Sequence, residues 1–276
     1  MIARALVALA ALALAWPAAA QTLDKIRKTG VITLGYIDGA APFSYLEGDE
    51  PQGYSVALCR TVADGIATQL GGKKLQTRWV KLTIQNRIEA VRRKQVDLEC
   101  GTTTWTLGRQ KLVDFSLMTF VDGGSVLVKA QDKARRLADF GGRRIAVIRG
   151  TTTEKALHSS LKDVQLKLVA SRAEGLELLR QGEVDGFASD RTTLIGLALK
   201  QPGGDAYRLL DDDFSVEQYA LMLPRGDADF RLAVDRELAR IYRSREIDRI
   251  YDRWLRPLGP PSLLLSATYF IQGLAE

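Results

Sequence analysis

Three consecutive threonines and an arginine stand close together in the segment CGTTTWTLGRQKLVDFS, residues 100–116. Residues 95–99 predict a short strand and Leu107 begins a predicted helical turn, so Thr102, Thr104 and Arg109 follow the carboxyl end of a strand. Hydroxyl and backbone N–H groups donate hydrogen bonds there, and arginine offers a planar fork of donors that matches a carboxylate. We therefore interpret this segment as a site for a small carboxylate. The alternative is a polar connection with a surface arginine, because such connections are often rich in threonine.

A second anion site and a carboxylate are predicted further along the chain. Thr151 and Glu154 precede an apolar run with the spacing of a capping box, in which Thr151 is the N-cap. The first amides of such a helix bind anions, which makes Thr151 and Thr152 candidate contacts; the alternative is that they only cap the helix. Asp190 follows a predicted strand and precedes a helix, so its residue type favours a plain N-cap. The functional alternative is a carboxylate that faces an ammonium group.

The elements that position these residues alternate between strands and helices. This alternation predicts βαβ units on a mostly parallel sheet, where ligands bind beyond the carboxyl ends of the strands. Gly123 and Gly124 precede a new strand at 125–129, after which the pattern restarts, and a strand at 217–223 leads back. We therefore expect an α/β fold of two lobes, joined by two crossover strands that form a hinge, with the ligand cleft between the lobes.

The N-terminal residues predict export. They contain Arg4, an apolar run broken by Pro17 and three alanines at 18–20, which is the pattern of a cleaved signal peptide; the alternative is an uncleaved membrane anchor. We divide the chain into a signal peptide (1–20), the first part of lobe 1 (21–120), lobe 2 (121–218), the return to lobe 1 (219–256) and a C-terminal tail (257–276). The tail is apolar and is expected to lie against the body.

Composition excludes several classes of function. The formal net charge is +6, but the basic residues are dispersed without interleaved aromatics, which argues against nucleic-acid binding. The chain has a single histidine and no CxxC spacing, so we expect neither a metal site nor a cofactor. A lone pair of cysteines in an oxidising compartment, Cys59 and Cys100, is often a disulfide. The alternative is two unpaired buried thiols.

The order of several short segments resembles the periplasmic amino-acid-binding proteins of ABC importers, and most of all their glutamate/aspartate-binding branch. The resemblance extends from about Leu23 to Trp254. It is carried by APFSY (41–45), GYSVALCRTVA (53–63), QNRIEAV (85–91), VDLECGTTTWTLGRQKLVDFS (96–116), IAVIRGTTTE (145–154) and VDGFASDR (184–191). It implies the type II periplasmic-binding-protein fold.

The resemblance also implies a ligand set. Arg109, helped by Thr102 and Thr104, would bind the α-carboxylate of an amino acid, and Asp190 would receive its α-ammonium group. The other implied contacts are second-lobe donors, an arginine for a side-chain carboxylate and an aromatic ring that packs on the ligand: Thr151, Thr152, Arg87 and Phe43. For Phe43 the alternative is a plain core aromatic.

The chain departs from that branch at two positions. Ile37 stands where the branch has an arginine just after the first strand, and Arg172 is the counterpart of a second-lobe histidine. The loss of one cationic partner weakens the case for glutamate or aspartate, and a neutral polar amino acid is equally compatible.

The expected function is that of a monomeric periplasmic protein that captures an acidic or polar amino acid and delivers it to an inner-membrane ABC permease. One alternative is a secreted enzyme resembling cyclohexadienyl dehydratases, for which Glu174 would be the candidate general acid; a solvated carboxylate at a helix start is the simpler interpretation. Another alternative is a binding protein that presents its ligand to a membrane sensor. We expect no enzymatic activity.

Overall fold

The computed structural model describes residues 22–200 and 204–274. The predicted signal peptide therefore lies outside the described residues. The α-helices are α1 (Thr22–Thr29), α2 (Tyr54–Gln69), α3 (Arg87–Arg92), α4 (Leu107–Gln110), α5 (Thr152–Ser160), α6 (Arg172–Gln181), α7 (Arg191–Leu199), α8 (Ala228–Arg243), α9 (Glu246–Leu255) and α10 (Leu263–Gly273). Short 3₁₀ helices cover Leu137–Phe140, Gly204–Ala206 and Arg256–Leu258.

The strands form one large mixed sheet and one small hairpin. They are β1 (Val31–Ile37), β2 (Tyr45–Glu47), β3 (Glu50–Gln52), β4 (Gln76–Leu82), β5 (Leu98–Glu99), β6 (Asp114–Lys129), β7 (Arg144–Ile148), β8 (Gln165–Val169), β9 (Gly186–Asp190), β10 (Tyr207–Leu209) and β11 (Ser215–Leu223). The order in the large sheet is β4-β1-β5-β11-β6-β9-β7-β8, with β10 also paired to β6. The hairpin β2–β3 is not among the elements predicted from the sequence.

The sheet divides into two parallel parts with antiparallel strands between them. β1 pairs in parallel with β4 and β5, and β7 pairs in parallel with β8 and β9. We call the first group with its helices lobe 1 and the second group with its helices lobe 2. The long strands β6 and β11 pair antiparallel and connect the lobes, which makes them the two crossover strands of the hinge. The predicted lobe limits at 121 and 218 fall inside these strands and remain predictions.

The hinge strand β6 is continuous through Gly123 and Gly124, where the sequence had indicated a break before a new strand. The reason is close packing. A Cβ atom on Gly123 would lie 2.3 Å from Asp213 Oδ2, and one on Gly124 would lie 2.3 Å from Ser215 Oγ. The glycines therefore make room for neighbouring side chains and do not form a turn.

Each lobe has hydrophobic residues buried on both faces of its sheet. Near-continuous burial of a strand such as β1 is expected for parallel strands that carry helices on both faces. The Cys59–Cys100 disulfide lies in the core of lobe 1 and joins α2 to the residue after β5. The predicted disulfide is thus confirmed. It attaches the threonine loop that follows Cys100 to a helix of the core.

The C-terminal region is more regular than the sequence suggested. The apolar periodicity of residues 229–253 predicts one long helix, but the structure forms two, because Arg245 adopts a positive φ of 60° between α8 and α9. The apolar tail contains α10, which packs against α8 and β6. Gln272 accepts a hydrogen bond from the Met118 N–H group (2.8 Å) and donates one to the Met118 carbonyl (2.9 Å). Within residues 22–200 and 204–274, no helix has the length and apolar character needed to cross a membrane.

Candidate ligand-binding site

The threonine loop after β5 is held firmly on lobe 1. Its backbone bonds to β11, since Trp105 N–H donates to the Gln218 carbonyl (2.8 Å) and Ala220 N–H donates to the Thr103 carbonyl (3.2 Å). Thr106 caps the four-residue helix α4, and this places Arg109 beneath the loop. The buried Arg109 guanidinium donates to the Thr104 carbonyl at 2.7 Å. Burial lowers the pKa of Arg109, and the negative charge of Glu217 opposes this effect.

Asp190 lies at the end of β9, and its side chain does not cap α7. The cap comes instead from Asp122 on the hinge strand β6, whose carboxylate accepts hydrogen bonds from Thr192 N–H and, at 3.0 Å, from the Thr192 hydroxyl. The carboxylate of Asp190 therefore remains available to the cleft, where its closest cationic neighbour is Arg172 at 3.7 Å. The plain N-cap interpretation of Asp190 does not hold.

Both aspartates are buried without full compensation of their charge. Burial raises the pKa of Asp190 to about 6, although the positive charge of Arg172 opposes this rise. Burial also raises the pKa of Asp122 to about 7, and the nearby charge of Asp190 adds to the effect. The Tyr219 hydroxyl donates to Asp122 Oδ2 at 3.2 Å.

The start of α5 brings two threonines to the lobe 2 side of the cleft. Thr151 is the N-cap, and its hydroxyl accepts from Glu154 N–H (3.1 Å) and donates to the Ile148 carbonyl (2.7 Å). The capping box is incomplete because Glu154 bonds to Gly150 N–H and not to the N-cap residue. Thr152 reaches across the cleft, where its hydroxyl lies 2.6 Å from Glu217 Oε2 and 3.3 Å from the Thr104 hydroxyl.

Two buried arginines begin their helices at the cleft. Arg87 is the first residue of α3 in lobe 1, and Arg172 is the first residue of α6 in lobe 2. Arg172 donates to the Thr102 hydroxyl of the opposite lobe at 3.2 Å. The Nε atoms of both arginines have no hydrogen-bond partner within the described residues. Burial lowers the pKa of Arg87 to about 10, and the positive charge of Arg109 acts in the same direction.

Sequence reasoning missed two buried acids, Glu99 and Glu217. Glu99 ends β5, is fully buried and accepts from the Thr103 hydroxyl at 2.9 Å. Burial raises the pKa of Glu99, and the charge of Arg87 opposes the rise. Glu217 lies on β11 and is 1% exposed. The sequence contained a signal for Glu217. It lies two residues before the buried Tyr219 on the same strand, so both side chains point to the same face of the sheet.

Two positions discussed from sequence belong to the core of lobe 1. Phe43 is fully buried, and its ring packs against the rings of Phe120 and Tyr219, with centroids 4.9 Å and 5.4 Å away. In this conformation it is not among the residues that line the cleft, which favours the core interpretation. Ile37 ends β1 and is 3% exposed in an apolar cluster.

The acid proposed for the enzyme alternative is not in a catalytic environment. Glu174 is exposed in the first turn of α6, and its carboxylate accepts from Ala170 N–H at 2.8 Å. Its backbone N–H donates to the N-cap Ser171. Glu174 therefore serves the start of its own helix.

The remaining candidates line one small cavity between the lobes, except Arg109, which lies behind Thr104 and donates to its carbonyl. Its lining consists of Ile84, Arg87, Thr102, Thr104, Ile148, Thr151, Thr152, Thr153, Arg172, Ser189 and Asp190. They leave about 10 Å³ for the centre of a water molecule, which is room for about one water. The cleft is thus closed, and a ligand enters only when the lobes or their side chains move apart.

Contacts at the rim also join the lobes in this closed conformation. Gln85 Nε2 donates to the Ala170 carbonyl at 2.9 Å, and Lys200 Nζ lies 3.9 Å from the centre of the Tyr45 ring. The backbone of Gly196 in α7 lies so close to lobe 1 that a Cβ atom there would be 2.5 Å from the Ala41 carbonyl oxygen. These contacts and the central threonine and arginine contacts must all break when the cleft opens.

Chemically, the cleft combines fixed cations with fixed anions. Arginines from both lobes can donate to carboxylate or amide oxygens, and Asp190 can accept from an ammonium group. Such a combination of donors and acceptors suits a small zwitterion.

Comparisons with known proteins agree with this geometry. Residues 32–257 match the family model of the bacterial extracellular solute-binding proteins, family 3. An L-glutamate/L-aspartate-binding protein of Pseudomonas aeruginosa is 34% identical over 252 residues, which cover 89% of this chain and 83% of the relative. A glutamate/aspartate import solute-binding protein of Escherichia coli is 31% identical over 253 residues, covering 90% and 84%.

The fold is shared with solved structures of more distant sequence. A solute receptor for L-cysteine from Neisseria gonorrhoeae superposes with a TM-score of 0.76 at 24% identity, covering 85% of this chain and 94% of the receptor. This similarity shows the two-lobed fold, and the family match over most of the chain shows the class of protein. The chain belongs to the bacterial extracellular solute-binding proteins, family 3.

Proposed function

We propose that this protein captures an amino acid with an acidic or polar side chain in the cleft and delivers it to the permease of an ABC importer. The two curated relatives named above bind glutamate and aspartate according to their names. The observation that carries the proposal is Asp190, a buried carboxylate at the cleft that its own helix does not use as a cap. An α-ammonium group would supply the cation that this carboxylate lacks at hydrogen-bond distance.

The α-carboxylate of the ligand would bind to lobe 1 and to the start of α5. Arg109, the Thr102 hydroxyl and the Thr104 backbone N–H would supply the lobe 1 contacts, and the backbone N–H groups at the α5 N-terminus, at Thr151 and Thr152, would supply those of lobe 2. Phe43 is left out of this set because it lies in the core.

The side chain of the ligand would lie near Arg87 and Arg172, whose Nε atoms have no partner within the described residues. Both a carboxylate and an amide oxygen can accept from them. The buried Glu99 offsets part of the positive charge of Arg87, so we propose the class of acidic or polar amino acids without choosing one member.

The proposal extends to the place where the protein works and to its partner. We propose a monomer in the periplasm, exported by the signal peptide at 1–20, with an inner-membrane permease as its protein partner. A binding protein needs neither a cofactor nor a metal for this task.

The experiment is a thermal-shift panel of the mature protein with every proteinogenic amino acid, followed by calorimetric titration of those that raise the melting temperature. A ligand that binds only the folded state raises this temperature by mass action. We expect glutamate, aspartate, glutamine or asparagine to give the largest shifts. A shift with none of the amino acids, together with turnover of a prephenate-type substrate, would replace the proposal by the enzyme alternative.

The variant Arg87→Ala tests the side-chain subsite. It should weaken binding of acidic amino acids more than that of neutral ones, because only a carboxylate gains a full charge-assisted hydrogen bond from the arginine. Calorimetric titration of glutamate and glutamine measures the difference. Equal losses for both ligands would remove Arg87 from the specificity role.

A further inference from the structure

Glu217 occupies the point where the two lobes and the hinge meet. It lies on β11, and its Oε2 atom accepts hydrogen bonds from the hydroxyls of Thr104 in lobe 1 (2.5 Å) and Thr152 in lobe 2 (2.6 Å). Its Oε1 atom accepts from the Ser215 hydroxyl at 2.7 Å. Three hydroxyl groups thus donate to one carboxylate that is 1% exposed.

This arrangement fixes the direction of the threonine hydroxyls. A hydroxyl group has one hydrogen to donate and two lone pairs that accept. A carboxylate only accepts, so the short distances require Thr104 and Thr152 to donate their hydrogens to Glu217. Each hydroxyl then has only lone pairs left for a ligand. The 3.3 Å separation between the two hydroxyls is consistent with this, because the shorter contact to the carboxylate takes the hydrogen.

The charge of Glu217 is not paired directly. None of the ion pairs among the described residues includes Glu217, and its influence on Arg109 is exerted at longer range. Asp190 adds a second negative charge near the same point, since the charges of both Asp190 and Glu217 raise the pKa of Tyr219. Hydrogen-bond acceptors and negative charge are therefore concentrated where the cleft meets the hinge strands. This part of the cleft attracts the positive group of a ligand.

We propose that Glu217 is a positioning residue that holds the Thr104 and Thr152 hydroxyls as acceptors for the α-ammonium group of the bound amino acid. This inference rests on the proposed function and assigns to Glu217 a role within the same site. It acts through the two threonines and needs no contact with the ligand.

The test compares amino acids with analogues that lack only the amino group. L-Glutamate is paired with glutarate, and L-glutamine with glutaramate, in calorimetric titration of the wild type, Glu217→Met and Glu217→Gln. In Glu217→Met the hydroxyls are free to rotate, so it should lose about tenfold more affinity for the amino acid than for its des-amino analogue, the size expected for a lost charge-assisted bond. Glu217→Gln should restore part of this loss, since its amide oxygen accepts the same two hydrogens.

The matched control is Glu237→Met, which removes a buried acid of α8 that bonds to Gln69 and Arg240 outside the cleft. It should lower the melting temperature without changing the ratio of the two affinities. Equal losses for amino acid and analogue in Glu217→Met, or no rescue by Glu217→Gln, would overturn the positioning role. Failure of the wild type to bind any amino acid in the panel would instead refute the proposed function, and this is seen before any variant is made.

Discussion

The two walls of the cleft differ in where their side chains find partners. On lobe 1, Thr103 bonds to Glu99 and Arg109 bonds to the Thr104 carbonyl, both within that lobe. On lobe 2, Thr152 and Arg172 make their side-chain hydrogen bonds outside that lobe, to Glu217 on the hinge strand β11 and to Thr104 and Thr102 of lobe 1. Lobe 1 therefore presents a preformed surface, whereas part of the lobe 2 surface is completed only on closure.

This difference predicts that the two walls act at different steps of ligand binding. A ligand that first meets the preformed wall binds the open form, and the second wall then stabilises the closed form. Substitutions on lobe 1 should weaken the first contact as well as the final complex. Substitutions on lobe 2 should mainly accelerate dissociation.

The largest effect is expected for Arg109→Ala on the lobe 1 wall. It removes a buried charge-assisted donor, and affinity for the amino acid found in the panel should fall by about 2–4 kcal/mol. Stopped-flow fluorescence should show both slower association and faster dissociation. Arg92→Ala, an exposed arginine paired with Glu89, is the control and should bind as the wild type does. An affinity within twofold of wild type for Arg109→Ala would show that the carboxylate clamp is wrongly assigned.

Arg172→Ala is the corresponding change on the lobe 2 wall. Loss of its hydrogen bond to Thr102 and of its charge should cost about 1.5–3 kcal/mol of affinity. If lobe 2 acts mainly after closure, Arg172→Ala should dissociate faster than the wild type and associate at nearly the same rate. A large decrease in the association rate would contradict the proposal that the ligand contacts lobe 1 first and lobe 2 only on closure.

Gly196→Val tests closure without touching the charged groups. Its side chain would meet the Ala41 carbonyl across the rim, and overpacking of this kind costs about 1–3 kcal/mol. The closed form should become less populated, which small-angle X-ray scattering detects as a larger radius of gyration with saturating ligand. Gly141→Val is a control at a position where a Cβ atom meets no neighbour. The same radius of gyration in wild type and Gly196→Val would refute the rim contact.

The last effect concerns the pH dependence of stability, and not binding, through Asp122. Its pKa of about 7 in the folded protein lies above the ordinary aspartate pKa of 3.8, so the folded protein holds more protons between these values. The free energy of unfolding should therefore decrease as pH rises from about 4 to about 7 and level off above it, with Asp190 acting in the same direction. Asp122→Asn should remove the contribution of Asp122 to this decrease, which amounts to about 1.4 kcal/mol for each pH unit between about 5 and 7. Denaturant titrations at pH 5 and pH 8 measure the free energy of unfolding. The same difference between the two pH values in wild type and Asp122→Asn would contradict the raised pKa of Asp122.

Much of this architecture could be predicted from sequence because it depends on local patterns. The order of strands and helices, the start of α5 at Thr151 and the cysteine pair all follow from periodicity, capping residues and compartment. Loop residues at strand ends, such as Thr104 and Asp190, were located because parallel sheets bring their carboxyl ends to one edge.

What escaped prediction depends on contacts between distant residues. Asp122 replaces Asp190 as the cap of α7 although 70 residues separate Asp122 from Thr192, and no local pattern encodes such an exchange. The glycines of β6 looked like a break because their neighbours, Asp213 and Ser215, come from another part of the chain. The break at Arg245 has no glycine or proline to announce it.

Because Asp122 caps α7, the first turn of this helix is attached to the hinge strand β6 and should rotate with it. Its first turn is attached to the hinge strand through Thr192, while its far end carries Gly196 and Lys200 against lobe 1. With a rise of about 1.5 Å per residue, Lys200 lies about 12–15 Å from that pivot, so a rotation of about 20° would swing it by roughly 4–5 Å. A rotation of that size at the hinge would therefore separate Lys200 and Gly196 from lobe 1 and open a gap at the rim.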